Sequence, residues 1–566
     1  MIMNNPERNG MNNIINILIR TPEGKEFKVN RESPCTVEEL IRPLQDEFSY
    51  EILSCVADYH RQGLDWIVDH DCTIELLDMR SPSGNMTYQV SLTFLYIKAV
   101  HDVLGDDVRV TIANSLSKGL FTQIHTGKLD ETAVRKIEAR MKELVEEDIR
   151  FEGGYARRPE IEEYFRKYTR REQKDLIESA DDLRRAYIYK LQDETDLIYH
   201  RLVPSTGYLK WFELRRYKNG VLLRFPHPSK PDTVPPYEEQ KLLYDAFSEA
   251  TRWCRIMKVS NAADLNILVK QKNCKDLILL SEALHEKRIA EIAEQIRESG
   301  KRIVLIAGPS SSGKTSFAKR LCIQMRVIGL KPLYLGTDDY FHERDETPVL
   351  ENGEKDFESL RAIDTVLFNN QMNDLLKGKW VDLPEFDFKE GKKVYGHRVT
   401  SISSTQPIVI EGIHGLNPAM TEGIPDDQKY RIYISPLTQL NIDDHNRVPT
   451  TDARMLRRIV RDHLFRGYGA LETIQAWPSV RAGEEQYIFP YNSLADTFFN
   501  SHCLYELSVL KKYAKPLLET IPEDVPEYPE ARRMLEFLGC FNEMEDDSII
   551  PNNSIMREFI GGSVLL

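Results

Sequence analysis

The sequence predicts a multidomain protein in which α+β units precede an α/β unit built on a doubly wound parallel sheet. Three observations carry that expectation. A chain of 566 residues exceeds what one core supports, and about 150 residues per domain implies three or four units. The stretch Gly308-Pro-Ser-Ser-Ser-Gly-Lys-Thr315 fits G-x-x-x-x-G-K-[ST] between an apolar run, Ile303 to Ala307, and a helix-like run from Ser316, the context that a phosphate-binding P-loop requires. Beyond it short apolar runs alternate with helical segments, as in a parallel sheet with helices on both faces.

A net charge of -14 and a pI near 5.6 argue against a surface that binds nucleic acid without specificity. The eight cysteines are scattered with no C-x-x-C pair, which reads as reduced thiols rather than a disulfide or zinc framework. Residues 1 to 13 are polar and no run of eighteen apolar residues occurs, so the expectation is a cytoplasmic protein without a membrane span.

Taken in order, residues 14 to 19 (Ile-Ile-Asn-Ile-Leu-Ile) read as a strand, Pro22-Glu-Gly24 as a turn and Lys25 to Val29 as the second strand of a hairpin. Thr36 can cap a helix, with Glu38 and Glu39 in its first turn, that Pro43 should end or kink. Ile52 to Ala57 and Thr73 to Leu77 supply further strands. Over residues 12 to 80 this order resembles the TGS domain, a ubiquitin-like β-grasp unit of threonyl-tRNA synthetases and some GTPases.

Ser81-Pro-Ser-Gly84 reads as a turn, followed by helices over Tyr88 to Leu104 and Ala133 to Val145. Asp196-Leu197 and Val203-Pro-Ser-Thr-Gly-Tyr-Leu-Lys210, placed directly after the TGS-like unit, give residues 81 to 215 a resemblance to the second, editing-type α+β domain of threonyl-tRNA synthetase. In that family an H-x-x-x-H helix and a later C-x-x-x-H pair hold a metal. The matching positions here are Val90, Phe94, Ile198 and Leu202, none of which can ligate zinc, so the expectation is a retained shape without the metal site.

Residues 216 to 300 are expected to form a connector and helical linker. Val221 to Phe225 is strand-like, Pro226 to Pro236 is proline-rich, and Glu239 to Cys254 and Lys275 to Glu298 have helical period. Gly300 should end the last helix. In the domain from 301 to 566, the loop's helix should bury Phe317, Leu321 and Met325. Leu333 to Leu335, Ile408 to Ile410 and Arg431 to Ile434 should be strands. Gly308, Asp338 and Glu411 then lie at strand carboxyl ends, where ligands bind in such sheets.

The chemistry this pattern suits is phosphoryl transfer, which needs a phosphate cradle, a divalent cation, a base near the acceptor and cationic groups. Gly308, Pro309, Ser310, Ser311, Ser312, Gly313, Lys314, Thr315 and Ser316 form the cradle for ATP; Lys314 reaches its outer phosphates, and Thr315, Asp338 and Glu411 are the candidate Mg²⁺ ligands. Asp338 and Asp339 follow a strand together, one facing the metal or acceptor while the other caps a helix. Arg454, Arg457 or Arg458, and Arg461 share one helical face, expected to act as a closing lid that supplies charge to the transferring group.

From about 301 to 515 the sequence resembles the uridine kinase and phosphoribulokinase family. The residues that carry this are Gly308 to Thr315, Asp338, Glu411-Gly412 and Arg454-x-x-Arg-Arg-x-x-Arg-Asp462. The family's nucleoside-binding segment corresponds to Asp356 through Asp364, which places Glu358 at the ribose hydroxyls, and its Y-D-F-x-x-H segment to Phe386-Asp-Phe-Lys-Glu-Gly391. The resemblance implies Asp338, Lys314, Arg458 and Arg461 as catalytic residues, and Asp339, Tyr340, Glu358, Phe386, Asp387 and Arg454 as acceptor-side residues. Phe386 and Gly391 stand where the family has a tyrosine and a base-contacting histidine. The implied activity is 5′-phosphorylation of uridine or cytidine by ATP. A kinase of another hydroxylated metabolite, or an ATP-dependent regulator that binds tRNA or a protein partner, remains an alternative, and a homo-oligomer is left open.

Overall fold

The computed structural model describes residues 14–127, 129–167, 171–349, 353 and 355–566; the polar stretch 1–13 lies outside them. The chain divides into two units. One is Met1–Glu239 with Ile442–Arg447 and Ile521–Cys540; the other is Gln240–Asn441 with Val448–Thr520 and Phe541–Leu566. The expectation of an unbroken domain from 301 to 566 is therefore corrected: residues 442–447 and 521–540 group with the amino-terminal half.

In the first unit, Ile15, Ile17 and Ile19 alternate with outward residues along the strand Ile14–Arg20, the period of a half-buried strand. It pairs antiparallel with Glu26–Glu32 and parallel with Cys72–Asp78. The five-stranded sheet runs in the order Glu26–Glu32, Ile14–Arg20, Cys72–Asp78, Ile52–Ala57, His60–Gln62. Thr36 caps the helix Val37–Ile41 in a full capping box with Glu39. The α-helix ends at Ile41, ahead of Pro43, as expected, and the chain continues as a 3-10 segment, Arg42–Glu47, with Pro43 in its first turn, where its missing N–H is not needed.

Ser81 to Gly84 is a helix start rather than a turn. The Ser81 hydroxyl accepts the Gly84 N–H at 3.0 Å and caps Pro82–Leu104. Helix Glu131–Glu146 packs beside it, and an antiparallel sheet of Glu213–Tyr217, Gly220–Arg224, Gly119–Ile124 and Val110–Leu116 completes the layer. Residues 213 to 224 thus belong to this sheet and not to a connector starting at 216. Phe94, Ile198 and Leu202 lie in the apolar core and Val90 packs against it; Phe94 stacks on Phe151 at 5.9 Å.

The second unit opens with helices Lys241–Met257, Ala262–Lys270 and Lys275–Ser299, the middle one not foreseen from periodicity. Gly300 ends the last in the left-handed region at φ 67°. Its sheet is wholly parallel, in the order Leu333–Gly336, Ile408–Glu411, Ile303–Ala307, Lys429–Ser435, Thr497–Asn500. Ile303, Leu305, Ile408 and Ile410 face Phe368, Met372 and Leu375 of the helix Thr365–Leu376. Val304 and Ile306, on the opposite face, are equally buried, as expected of a doubly wound sheet. Strand order reverses at Ile303–Ala307, and a ligand crevice forms at such a switch point. All eight cysteines are free thiols and seven are buried. No helix among the described residues is long and apolar enough to cross a membrane.

Candidate active site

The loop after Ile303–Ala307 owes its shape to two glycines. A Cβ at Gly308 would stand 2.0 Å from the Ile434 carbonyl oxygen. Gly313, at φ +82°, takes a conformation that glycine adopts without cost and leads into the helix Lys314–Val327. A helix that begins on such a loop offers its first N–H groups and positive dipole end to an anion.

Lys314 Nζ donates to the Gly308 and Pro309 carbonyls at 3.0 and 3.1 Å, folded over its own loop. Burial lowers its pKa, opposed by Glu411 and reinforced by Arg461. Glu411, the last residue of Ile408–Glu411, accepts the Thr315 hydroxyl at 2.9 Å and the Tyr334 hydroxyl at 3.2 Å. Burial holds its carboxyl above the usual range, with Lys314 pulling the other way. Asp338 lies in the 3-10 turn Thr337–Tyr340 that follows Leu333–Gly336. The residue is exposed, yet the surrounding protein desolvates its carboxyl enough to raise its pKa, with Lys314 opposing and Asp339 adding to the rise. Glu358 is likewise raised by burial and feels Arg458, Lys314 and Asp338. Lys314, Asp338, Glu358 and Glu411 lie close enough to act on one another electrostatically.

These carboxylates and the Thr315 hydroxyl fit a hard divalent cation. The donors are all oxygens, the ligand type that such a cation takes.

The arginine helix Thr450–Arg466 departs from expectation. It is not an open lid: Arg454 is 1% exposed and Arg457 0%. Arg454 Nε donates to the Ser310 carbonyl at 3.1 Å and its guanidinium pairs with Glu484, so it braces the loop instead of meeting an acceptor. Arg457 Nη2 bonds Glu506 at 2.6 Å, and its Nη1 reaches the Ser311 carbonyl at 3.3 Å. Arg458 Nη1 donates to the Ser310 hydroxyl at 3.0 Å. Arg461 stands 4.0 Å from Glu558; burial and then Arg466 lower it to about 10, still protonated at neutral pH. Arg458 and Arg461 keep side-chain exposures of 15% and 16%.

Several acceptor-side residues are corrected. Tyr340 is fully buried, edge-on to Phe368, with its hydroxyl on Gln371 at 2.9 Å. Phe386 packs edge to face with Phe341 and Phe388. Asp387 accepts the Lys389 and Glu390 N–H groups at 2.8 and 3.1 Å, closing the turn of the hairpin Glu385–Asp387 and Lys392–Val394. Asp339 neither caps a helix nor stands alone: it pairs with Arg398 at 2.6 Å and accepts the Phe386 N–H at 3.4 Å.

Three residues escaped the sequence reading. Glu484 accepts the Ser310 N–H at 3.0 Å. Glu558 accepts from both the N–H and the hydroxyl of Ser316, at 3.3 and 2.7 Å. His414 is fully buried two residues past Gly412 and packs edge-on to Tyr487; burial pushes it down to about 4.

Residues 303–507 match the model of the Phosphoribulokinase / Uridine kinase family. A uridine kinase of Ligilactobacillus salivarius is 28% identical over 201 residues, 35% of this chain and 85% of that protein. A uridine kinase of Macrococcus caseolyticus is 27% identical over 195 residues, 34% of this chain and 85% of that protein. Over the amino-terminal region, a threonine--tRNA ligase of Fusobacterium nucleatum is 32% identical across 179 residues, 31% of this chain and 29% of the ligase. The chain therefore spans less than a third of that ligase's length and most of the kinases'.

Proposed function

We propose that this chain transfers the γ-phosphoryl group of ATP to a hydroxyl of a small acceptor, and that the acceptor is a nucleoside, with uridine or cytidine phosphorylated at the 5′ position. The observation that carries the reading is the 2.9 Å contact between Thr315 of the loop and Glu411 of the neighbouring strand, beside Lys314 and Asp338 at the switch point of the sheet. It joins a phosphate cradle to a cation site.

ATP would lie on residues 308 to 316, and Thr315 and Glu411 would hold Mg²⁺, which when bound offsets charge on the phosphate oxygens. Lys314, already desolvated, exchanges its two loop carbonyls for phosphate oxygens. Arg458 and Arg461 supply fixed positive charge next to the loop, which needs no reorganisation during transfer. Asp338 accepts the acceptor's hydroxyl proton on a carboxylate oxygen; its raised pKa makes it a better base than an ordinary aspartate. Glu358 orients the acceptor hydroxyls.

A second reading keeps the reaction and changes the acceptor to another hydroxylated metabolite. It is favoured by Phe386 and Asp387, whose side chains serve the local hairpin, and by Gly391, where a Cβ would lie 2.8 Å from Arg344. The similarity to threonine--tRNA ligases favours a binding role, toward tRNA or a protein, for the amino-terminal unit. Screening ATP consumption by the purified chain against nucleosides, sugars and polyols separates these. Uridine- or cytidine-dependent consumption is expected; consumption dependent only on a sugar or polyol selects the second reading, and none with any acceptor removes both.

A further inference from the structure

The first unit contains a cavity of about 200 Å³ whose wall is strongly cationic. Five of its lining side chains are arginines, Arg61, Arg185, Arg201, Arg532 and Arg533, against one lining carboxylate, Glu536. A second carboxylate, Glu530, bonds both Arg61 and Arg533. Glu536 is shared by Arg185, at 3.7 Å, and Arg532, at 3.3 Å. Arg201 Nη2 donates to the Gln62 side-chain oxygen at 2.6 Å, a neutral partner, so the guanidinium groups of the wall outnumber the carboxylates that line it. That is a costly concentration in a concave site unless an anion completes it, and it stands out in a chain of net charge -14.

The same wall holds polar atoms with no hydrogen-bond partner among the described residues: His200 Nε2 and Arg201 Nε are both buried without one. Such groups point to something outside the chain that satisfies them. The local field is positive in its effect on His200, which burial, and then Arg61 and Arg533, push down to about 3. Aromatic faces flank the guanidinium groups, with Arg201 over Tyr187 at 5.4 Å and Arg185 over Tyr155 at 5.7 Å, which fixes their planes. The guanidinium fork matches a phosphate in two-point fashion where lysine would not.

We propose that this cavity binds a small phosphorylated molecule, its phosphate held by Arg201 together with Arg61 and Arg533. The site is separate from the positions that match the synthetase metal ligands, since Phe94, Ile198 and Leu202 are core residues. Part of its wall, Tyr528 to Glu536, comes from the segment Ile521–Cys540, outside the synthetase-like stretch. Its volume admits a small molecule and is too small for a folded partner.

Titration calorimetry tests this on the full chain carrying Lys314→Ala, so that binding at the phosphate loop is suppressed, with inorganic pyrophosphate and inorganic phosphate as probes at low salt. Saturable one-to-one binding of either probe is expected, weakened about tenfold or more by Arg201→Ala and by the rim double variant Arg185→Ala/Arg532→Ala. The rim variant guards against a folding defect in Arg201→Ala, because Arg185 and Arg532 are 45% and 35% exposed. Absence of binding by both probes, affinity unchanged in the rim variant, or binding of a single-stranded RNA oligonucleotide where neither probe binds would overturn the proposal.

Discussion

Glu558 takes two donors of Ser316, an N–H and a hydroxyl, at the helix start where the loop would present donors to phosphate oxygens. Glu558→Gln preserves size and removes the competing charge, so ATP should bind about fivefold more tightly, near 1 kcal/mol. Calorimetry on the variant checks this, and weaker binding would mean that Glu558 supports the loop rather than competing for it. Asp338→Asn removes the proton acceptor and should lower kcat by about 10²-fold, whereas Asp339→Asn, which loosens an ion pair with Arg398, should act mildly. Single-turnover kinetics on both distinguish them; an active Asp338→Asn beside an inactive Asp339→Asn would reverse the assignment. Lys314, Thr315, Asp338 and Glu411 were legible because loop spacing and strand ends alone place them. Glu484 and Glu558 were not, since they reach the loop from 174 and 242 residues away, and neither sits in a local pattern.

At the scale of elements, the helix Thr450–Arg466 shows where periodicity stops informing. Spacing revealed one arginine face, but not that Glu484 and Glu506 from elsewhere in the chain would meet it and bury it. Glu506 is fully buried; burial works against its charge, yet Arg457 and His502 bring it to about 2. Its unfolded value is about 4.3. A depressed carboxylate stabilises fully above the unfolded value, and that contribution disappears as pH falls through the folded one. Glu506→Gln should therefore cost about 3–5 kcal/mol near neutral pH, by leaving Arg457 buried with a neutral partner, and the difference from the parent should narrow between about pH 4 and pH 2. Denaturant titrations at pH 7 and pH 3 measure it; a constant difference would mean that charge is not what the pair contributes. The first strands, the Thr36 cap and the Gly300 stop were legible from period and end chemistry, whereas Ser81 was misread because a cap and a turn begin with the same Ser-Pro pair.

At the scale of the molecule, the parallel sheet of the second unit was legible from alternating runs and the loop between strand and helix. The membership of residues 442–447 and 521–540 in the first unit was not, because no composition shift marks it. The two units carry different sites, a phosphate loop at the switch point of one sheet and a cationic cavity in the other unit. The most direct measurement is transfer of label from γ-labelled ATP with Mg²⁺ to an acceptor panel by the parent chain and by Lys314→Ala, with circular dichroism to verify folding. The account predicts a labelled, phosphorylated acceptor from the parent and at least about 10²-fold less from a folded Lys314→Ala; undiminished transfer by that variant, or no acceptor-dependent transfer by the parent, would contradict it.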